Sequence, residues 1–162
     1  MPMKVVHRVR QNHGLEHGTV TVLLEWGARP PLGGIALPVG YFIFARLSEA
    51  DVEDASREAL DQMQAGIREL AVSPYCGTNM LIGAFIGALI AMFMTRKSKG
   101  AGVRLMAFTS AILWSTLLSR PIGAVVQRYV TTSGDETGVR INGVTRLGIG
   151  RFGVHLVHTR RH

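Results

Sequence analysis

At 162 residues, 47% of them apolar, the chain is long enough for one domain and too short for two independent ones once a membrane segment is subtracted, and its single cysteine, Cys76, excludes an internal disulfide. The net charge of +7 divides into −2 over residues 1–75, +5 over 76–120 and +4 over 121–162, so the basic excess flanks the apolar segments, where anionic lipid headgroups account for it. No aromatic-rich basic strand is present to stack bases, and nucleic acid is not an expected partner.

Met1 to Gln11 lacks the apolar core of a signal peptide, so insertion into a membrane is expected to depend on internal segments. A helix is predicted from about Val5 to Trp26, closed by Gly27 and the Pro30-Pro31 pair. Gly14, Gly18 and the run Thr19-Val20-Thr21-Val22 weaken it. Residues 33–47 carry Gly and Pro punctuation around a β-rich stretch, Tyr41 to Phe44, and read as a β-hairpin or paired strands. Ser48 with Asp51 three residues later is a capping-box start. Val52, Ala55, Ala59, Met63, Ile67 and Leu70 then repeat at helical spacing, predicting an amphipathic surface helix over 48–70. The turn-rich link VSPYCGTN, residues 72–79, follows.

Residues 80–94 are apolar without exception, and the uncharged stretch Gly77 to Thr95 is 19 residues long, close to the ~20 that a spanning helix needs. Gly83 and Gly87 form a GxxxG spacing. It suits close approach by the segment that starts at Leu105, or by a second copy in a homo-oligomer. Leu105 to Ser119 is shorter, and Arg120-Pro121 interrupts it before the apolar run resumes, so the second helix is expected to be short or broken, with Arg120 snorkelling at a helix end. A hydrophobic hairpin buried in a soluble core is the competing reading. A chain this small offers too little to cover two uniformly apolar helices. The basic loop of Arg96, Lys97, Lys99 and Arg104 has the character of a cytoplasmic side, and if it is one both termini lie on the opposite face; translocating about 75 residues without a signal peptide argues against that, and the topology stays open. Residues 139–161 read as two β-segments separated by a Gly-rich turn, able to pair with the Tyr41 strand.

The expected fold is therefore α+β, a small antiparallel sheet with amphipathic helices interrupted by a two-helix transmembrane hairpin. Its parts are 1–77, a hairpin at 78–127, and a C-terminal β segment at 128–162 that completes the domain. The expected location is a bacterial cell membrane, with the lipid bilayer as partner.

The sharpest local motif is Asn12-His13-Gly14-Leu15-Glu16-His17, which contains H-x-x-E-H. On a helix His13 and His17 share one face one turn apart, so both imidazoles can reach one Zn²⁺ at about 2.0 Å, with Glu16 beside it as a base for metal-bound water. The competing reading is two ordinary histidines with an acidic neighbour. Cys76, His7, Glu53 and Glu69 are the candidate third ligands, and Cys76 is preferred because thiolate binds zinc strongly and the Pro74 to Thr78 turn presents it. A buried, inert thiol is the alternative for Cys76. An open fourth position makes such a site catalytic and a closed one makes it structural.

NHGLEH followed about sixty residues later by SPYCGTN, running directly into an apolar segment, resembles a family of uncharacterised bacterial membrane proteins of this size. It is more distantly similar to larger bacterial membrane proteins described as predicted metal-dependent enzymes, which carry His-Gly-x-Glu-His and then His-Pro-x-Cys-Gly-Thr before a membrane helix. The resemblance covers roughly residues 7–95 and extends weakly to Arg128-Tyr129-Val130-Thr131-Thr132. It implies a site of His13, Glu16, His17 and Cys76, with Ser73 standing where the second motif has histidine. Two functions follow as expectations. One is a membrane-anchored zinc protein acting as a hydrolase on a substrate the sequence does not identify; the other is a non-enzymatic membrane scaffold or assembly subunit.

Overall fold

A computed structural model of the chain describes residues 2–96, 100–148 and 153–161. Lys97, Lys99 and residues 149–152 of the Gly-rich turn lie outside the described residues. In chain order the elements are α1 (Pro2–Glu25), β1 (Gly33–Leu37), β2 (Gly40–Ala45), α2 (Glu49–Gln64), a 3-10 turn (Arg68–Ala71), α3 (Gly77–Thr95), α4 (Ala101–Val126), a π turn (Gln127–Thr131), β3 (Val139–Leu147) and β4 (Gly153–Arg161). The architecture is α+β with a four-stranded antiparallel sheet in the order β1-β2-β4-β3. The chain divides into two compact units, Met1–Ser73 with Arg128–His162, and Pro74–Gln127.

The first unit is assembled from both sides of the second in sequence. Tyr41 on β2 is paired with Val157 on β4, so strands more than a hundred residues apart close the sheet. Leu15, Val22 and Leu23 of α1, Val52, Ala55 and Ala59 of α2, and Tyr41, Ile43, Val139 and Val157 of the sheet form one buried core. The weak helix formers in α1 are overridden by this packing: Thr19 is fully buried and its hydroxyl donates to the Leu15 carbonyl at 2.8 Å. α2 begins as read from the sequence, with Ser48 Oγ accepting from the Asp51 N–H and Asp51 accepting from the Ser48 N–H. It ends earlier than periodicity predicted. Gly66 has φ +106°, and the chain turns into the separate 3-10 segment that carries Leu70.

In the second unit α3 and α4 pack against each other along small residues. A side chain at Gly83 would press on Ser119 Cβ, and one at Gly87 would meet Ala111, so both glycines of the GxxxG face α4. The expected break at Arg120-Pro121 does not occur. α4 is continuous, with Pro121 inside it, because keeping the rest of the helical ladder outweighs the one backbone bond that proline removes. Both helices are long and apolar enough to cross a membrane, and only 11% and 6% of their most apolar windows are buried. Phe85, Phe93, Leu113 and Leu117 stand more than half exposed, the opposite of a soluble core hairpin. At the base of the pair, the Gln127 amide donates to Asn79 Oδ1 at 2.8 Å, and the Asn79 amide donates to the Pro74 carbonyl at 2.9 Å.

Candidate metal centre

His13, Glu16 and His17 lie on α1, where the i, i+4 spacing brings the two imidazole centroids to 4.5 Å. Each ring is held through Nδ1. His13 Nδ1 is 2.9 Å from the Thr131 carbonyl and His17 Nδ1 is 2.8 Å from the Ala71 carbonyl. A carbonyl only accepts, so both Nδ1 atoms carry a proton, and in the neutral tautomer the lone pair of each ring is then on Nε2. This is the orientation that metal-ligating histidines take, with the other nitrogen tied to a backbone oxygen.

Two glycines make room for this arrangement. A side chain at Gly14, inside the HGLEH motif, would overlap the Ser133 carbonyl, so only glycine lets the chain after the π turn lie against α1. A side chain at Gly34 on β1 would displace the Glu16 carboxylate, 2.7 Å from the position its Cβ would take. Glu16 is consequently buried, with one carboxylate oxygen 3.9 Å from His13 Nε2. Burial pushes its pKa up to about 7, and the His13 charge works in the opposite direction. A carboxyl poised there can both accept and return a proton near neutral pH.

Cys76 is buried at the N-cap of α3, where its sulfur accepts from the Thr78 N–H at 3.4 Å. His13 and His17 stand in the first unit and Cys76 in the second, and each offers one donor atom of a type that zinc takes. Among the described residues, His7, Glu53 and Glu69, the other candidates for a third ligand, do not gather with the two imidazoles. His7 is exposed, and Glu53 is ion-paired with Arg57 on the outer face of α2. Ser73 is buried. Sequence reasoning missed the carbonyls of Ala71 and Thr131 because backbone groups leave no signature in residue type. The weak extension of the resemblance to Thr131 was the one available pointer.

The family model that matches the chain is a domain of unknown function, DUF6391, over residues 8–144. The chain belongs to the DUF6391 family. Its matched span runs from α1 into β3 and so includes His13, Glu16, His17, Cys76 and both apolar helices of this DUF6391 chain. An uncharacterized protein of Picosynechococcus sp. (strain ATCC 27264 / PCC 7002 / PR-6), SYNPCC7002_A1392, is 35% identical over 92 residues, which is 51% of this chain and 45% of that protein. The DUF6391 chain thus matches less than half the length of this relative. No solved structure matches it.

Proposed function

We propose that this chain is an integral protein of a bacterial cell membrane that binds zinc through Nε2 of His13, Nε2 of His17 and Sγ of Cys76, and uses the ion to activate water for hydrolysis. The observation that carries this reading is the pair of Nδ1–H bonds to the Ala71 and Thr131 carbonyls, which turn both Nε2 lone pairs to ligand duty. Two imidazoles and one thiolate suit zinc, and three protein ligands leave a fourth position for water. In this reading Ser73, standing where the resembled pattern has histidine, contributes no nitrogen, and water completes the shell. Glu16 is the general base, its carboxyl beside His13 and its pKa near the working pH. The distant resemblance of the two motifs to larger membrane proteins described as predicted metal-dependent enzymes supports the same reading, while the substrate is left to experiment.

The same two carbonyl bonds favour a second reading, a structural zinc site in a membrane scaffold, because they tie α1 to the 3-10 turn and to the π turn. Elemental mass spectrometry on detergent-purified protein, prepared without chelator, tests both. One zinc per chain is expected in the wild type, with near-complete loss in His13→Ala/His17→Ala. No metal in the wild type sinks both readings. Glu16→Gln separates them, since the hydrolase reading requires metal retained with activity lost, and the scaffold reading requires no change in either metal or assembly.

A further inference from the structure

On the first unit lies a cleft of about 360 Å³ lined by Arg10, Arg68 and Arg128 together with Glu69, Ala71 and Asp135. The three guanidiniums differ in how they are held. Arg10 is pinned, with Nε and Nη2 donating to the Thr132 carbonyl at 3.2 and 3.0 Å and Nη2 also donating to the Tyr129 carbonyl at 3.1 Å, which leaves Nη1 to donate elsewhere. Among the described residues, the side chains of Arg68 and Arg128 take part in no hydrogen bond or ion pair. The two carboxylates do not cancel this charge. Asp135 is turned into its own loop, accepting from the Thr137 hydroxyl at 2.6 Å and from the Thr137 N–H at 3.2 Å, and those bonds hold its pKa below the usual carboxylate range. Three cations thus face two carboxylates, Glu69 and Asp135, leaving an excess of one positive charge, with Arg68 also attracting Asp135. Gly134 keeps the wall of the cleft open, since a side chain there would press on the backbone and Cβ of Arg68.

We propose that this cleft binds a phosphate group presented by a phospholipid headgroup. Planar guanidinium forks recognise phosphate oxygens in pairs, and Arg68 and Arg128 bring two such forks to the lining of the cleft, with Nη1 of Arg10 beside them. The source of the phosphate is argued from chain position. Val72, which lines the cleft, stands five residues before α3, and Arg128 lies in the π turn that directly continues α4. Residues that flank spanning helices lie at headgroup depth, where phosphate is the most concentrated anion. The cleft borders the imidazole pair through Ala71, and the proposal uses none of the side chains assigned to the metal centre.

The test uses the full chain in neutral detergent, titrated with dihexanoyl phosphatidylglycerol, with dihexanoyl glycerol as the phosphate-free control and inorganic phosphate as competitor. The phospholipid is expected to bind and the phosphate-free control is not. Arg68→Gln/Arg128→Gln is expected to weaken binding about tenfold or more, the loss of two charge-assisted contacts. Arg57→Gln, which removes an exposed cation paired with Glu53, is expected to change it less than about twofold. Equal affinity in the wild type and the double variant overturns the site. Displacement by inorganic phosphate at equal concentration overturns the lipid as source and makes free phosphate the ligand. Wild-type binding is also expected to weaken several-fold as salt rises from about 0.05 to 0.5 M, and salt-independent binding overturns the proposal without recourse to any variant.

Discussion

The two units of this chain place polar and apolar side chains in opposite ways. In the first unit Asn12, Gln11, Glu16, Thr19 and Glu136 are buried among aliphatic residues, whereas in the second Met80, Leu81, Phe85, Phe93 and Leu105 stand exposed. A buried polar group is tolerated only where partners or protonation relieve it. An exposed apolar face on this scale is tolerated only where the surroundings are themselves apolar. The contrast supports a two-solvent reading of the chain, in which the exposed apolar helices of the second unit face lipid.

The largest effect expected from attacking the polar side of this comparison is at Glu136. Among the described residues both its carboxylate oxygens are buried without a hydrogen-bond partner, and burial pushes its pKa up to about 9. A carboxyl whose folded pKa is raised is fully stabilising only below its unfolded value, near 4.5, and loses stability as pH rises through the folded value. Wild-type stability is therefore expected to fall between about pH 4.5 and 9 by up to about 1.4 kcal/mol per unit from this group. Glu136→Gln should remove that slope in denaturation measured across pH, and an unchanged slope breaks the account.

Next in size is Gly14→Val, which forces a side chain into the Ser133 carbonyl against α1. It is expected to destabilise the first unit by about 3 kcal/mol and to lower metal content with it. A melting temperature equal to wild type would mean that the segment after α4 does not lie on the HGLEH helix. Smallest is Leu113→Arg on the exposed face of α4, where Leu113 is 54% accessible. In water such a change is worth about 0.5 kcal/mol or less. At the centre of a spanning helix it costs about 2.5 kcal/mol, read as loss of chain from the membrane fraction. A silent substitution there would collapse the two-solvent picture.

How far each feature was legible in the sequence follows from the range of the interactions behind it. Uncharged runs, the Ser48–Asp51 capping box and the β-rich Tyr41 to Phe44 stretch are local, and each corresponds to an element in the structure. The pairing of β2 with β4 was readable as a pattern of short strands, though its register was not. Pro121 misled because a local rule about proline carries less weight than the cost of interrupting a long apolar helix. The end of α2 misled because apolar spacing continues through Ile67 and Leu70 while Gly66 turns the backbone. For the candidate site, H-x-x-E-H and Cys76 were visible as residue types. The orienting carbonyls, the space left by Gly34 and the buried Glu136 depend on which distant segments meet, and no spacing in the sequence encodes that.

The bonds from His13 to Thr131 and from His17 to Ala71 also bear on how the protein is made. A ribosome releases α1, β1 and β2 well before β4 and Thr131, with both apolar helices emerging in between. Until the second apolar helix has been synthesised and β4 has joined β2, the first sheet lacks half its strands and His13 lacks its carbonyl. The imidazole pair is therefore oriented only late in biogenesis, after both apolar helices have left the ribosome. Any metal these rings hold would load only onto chains whose apolar helices have both been made.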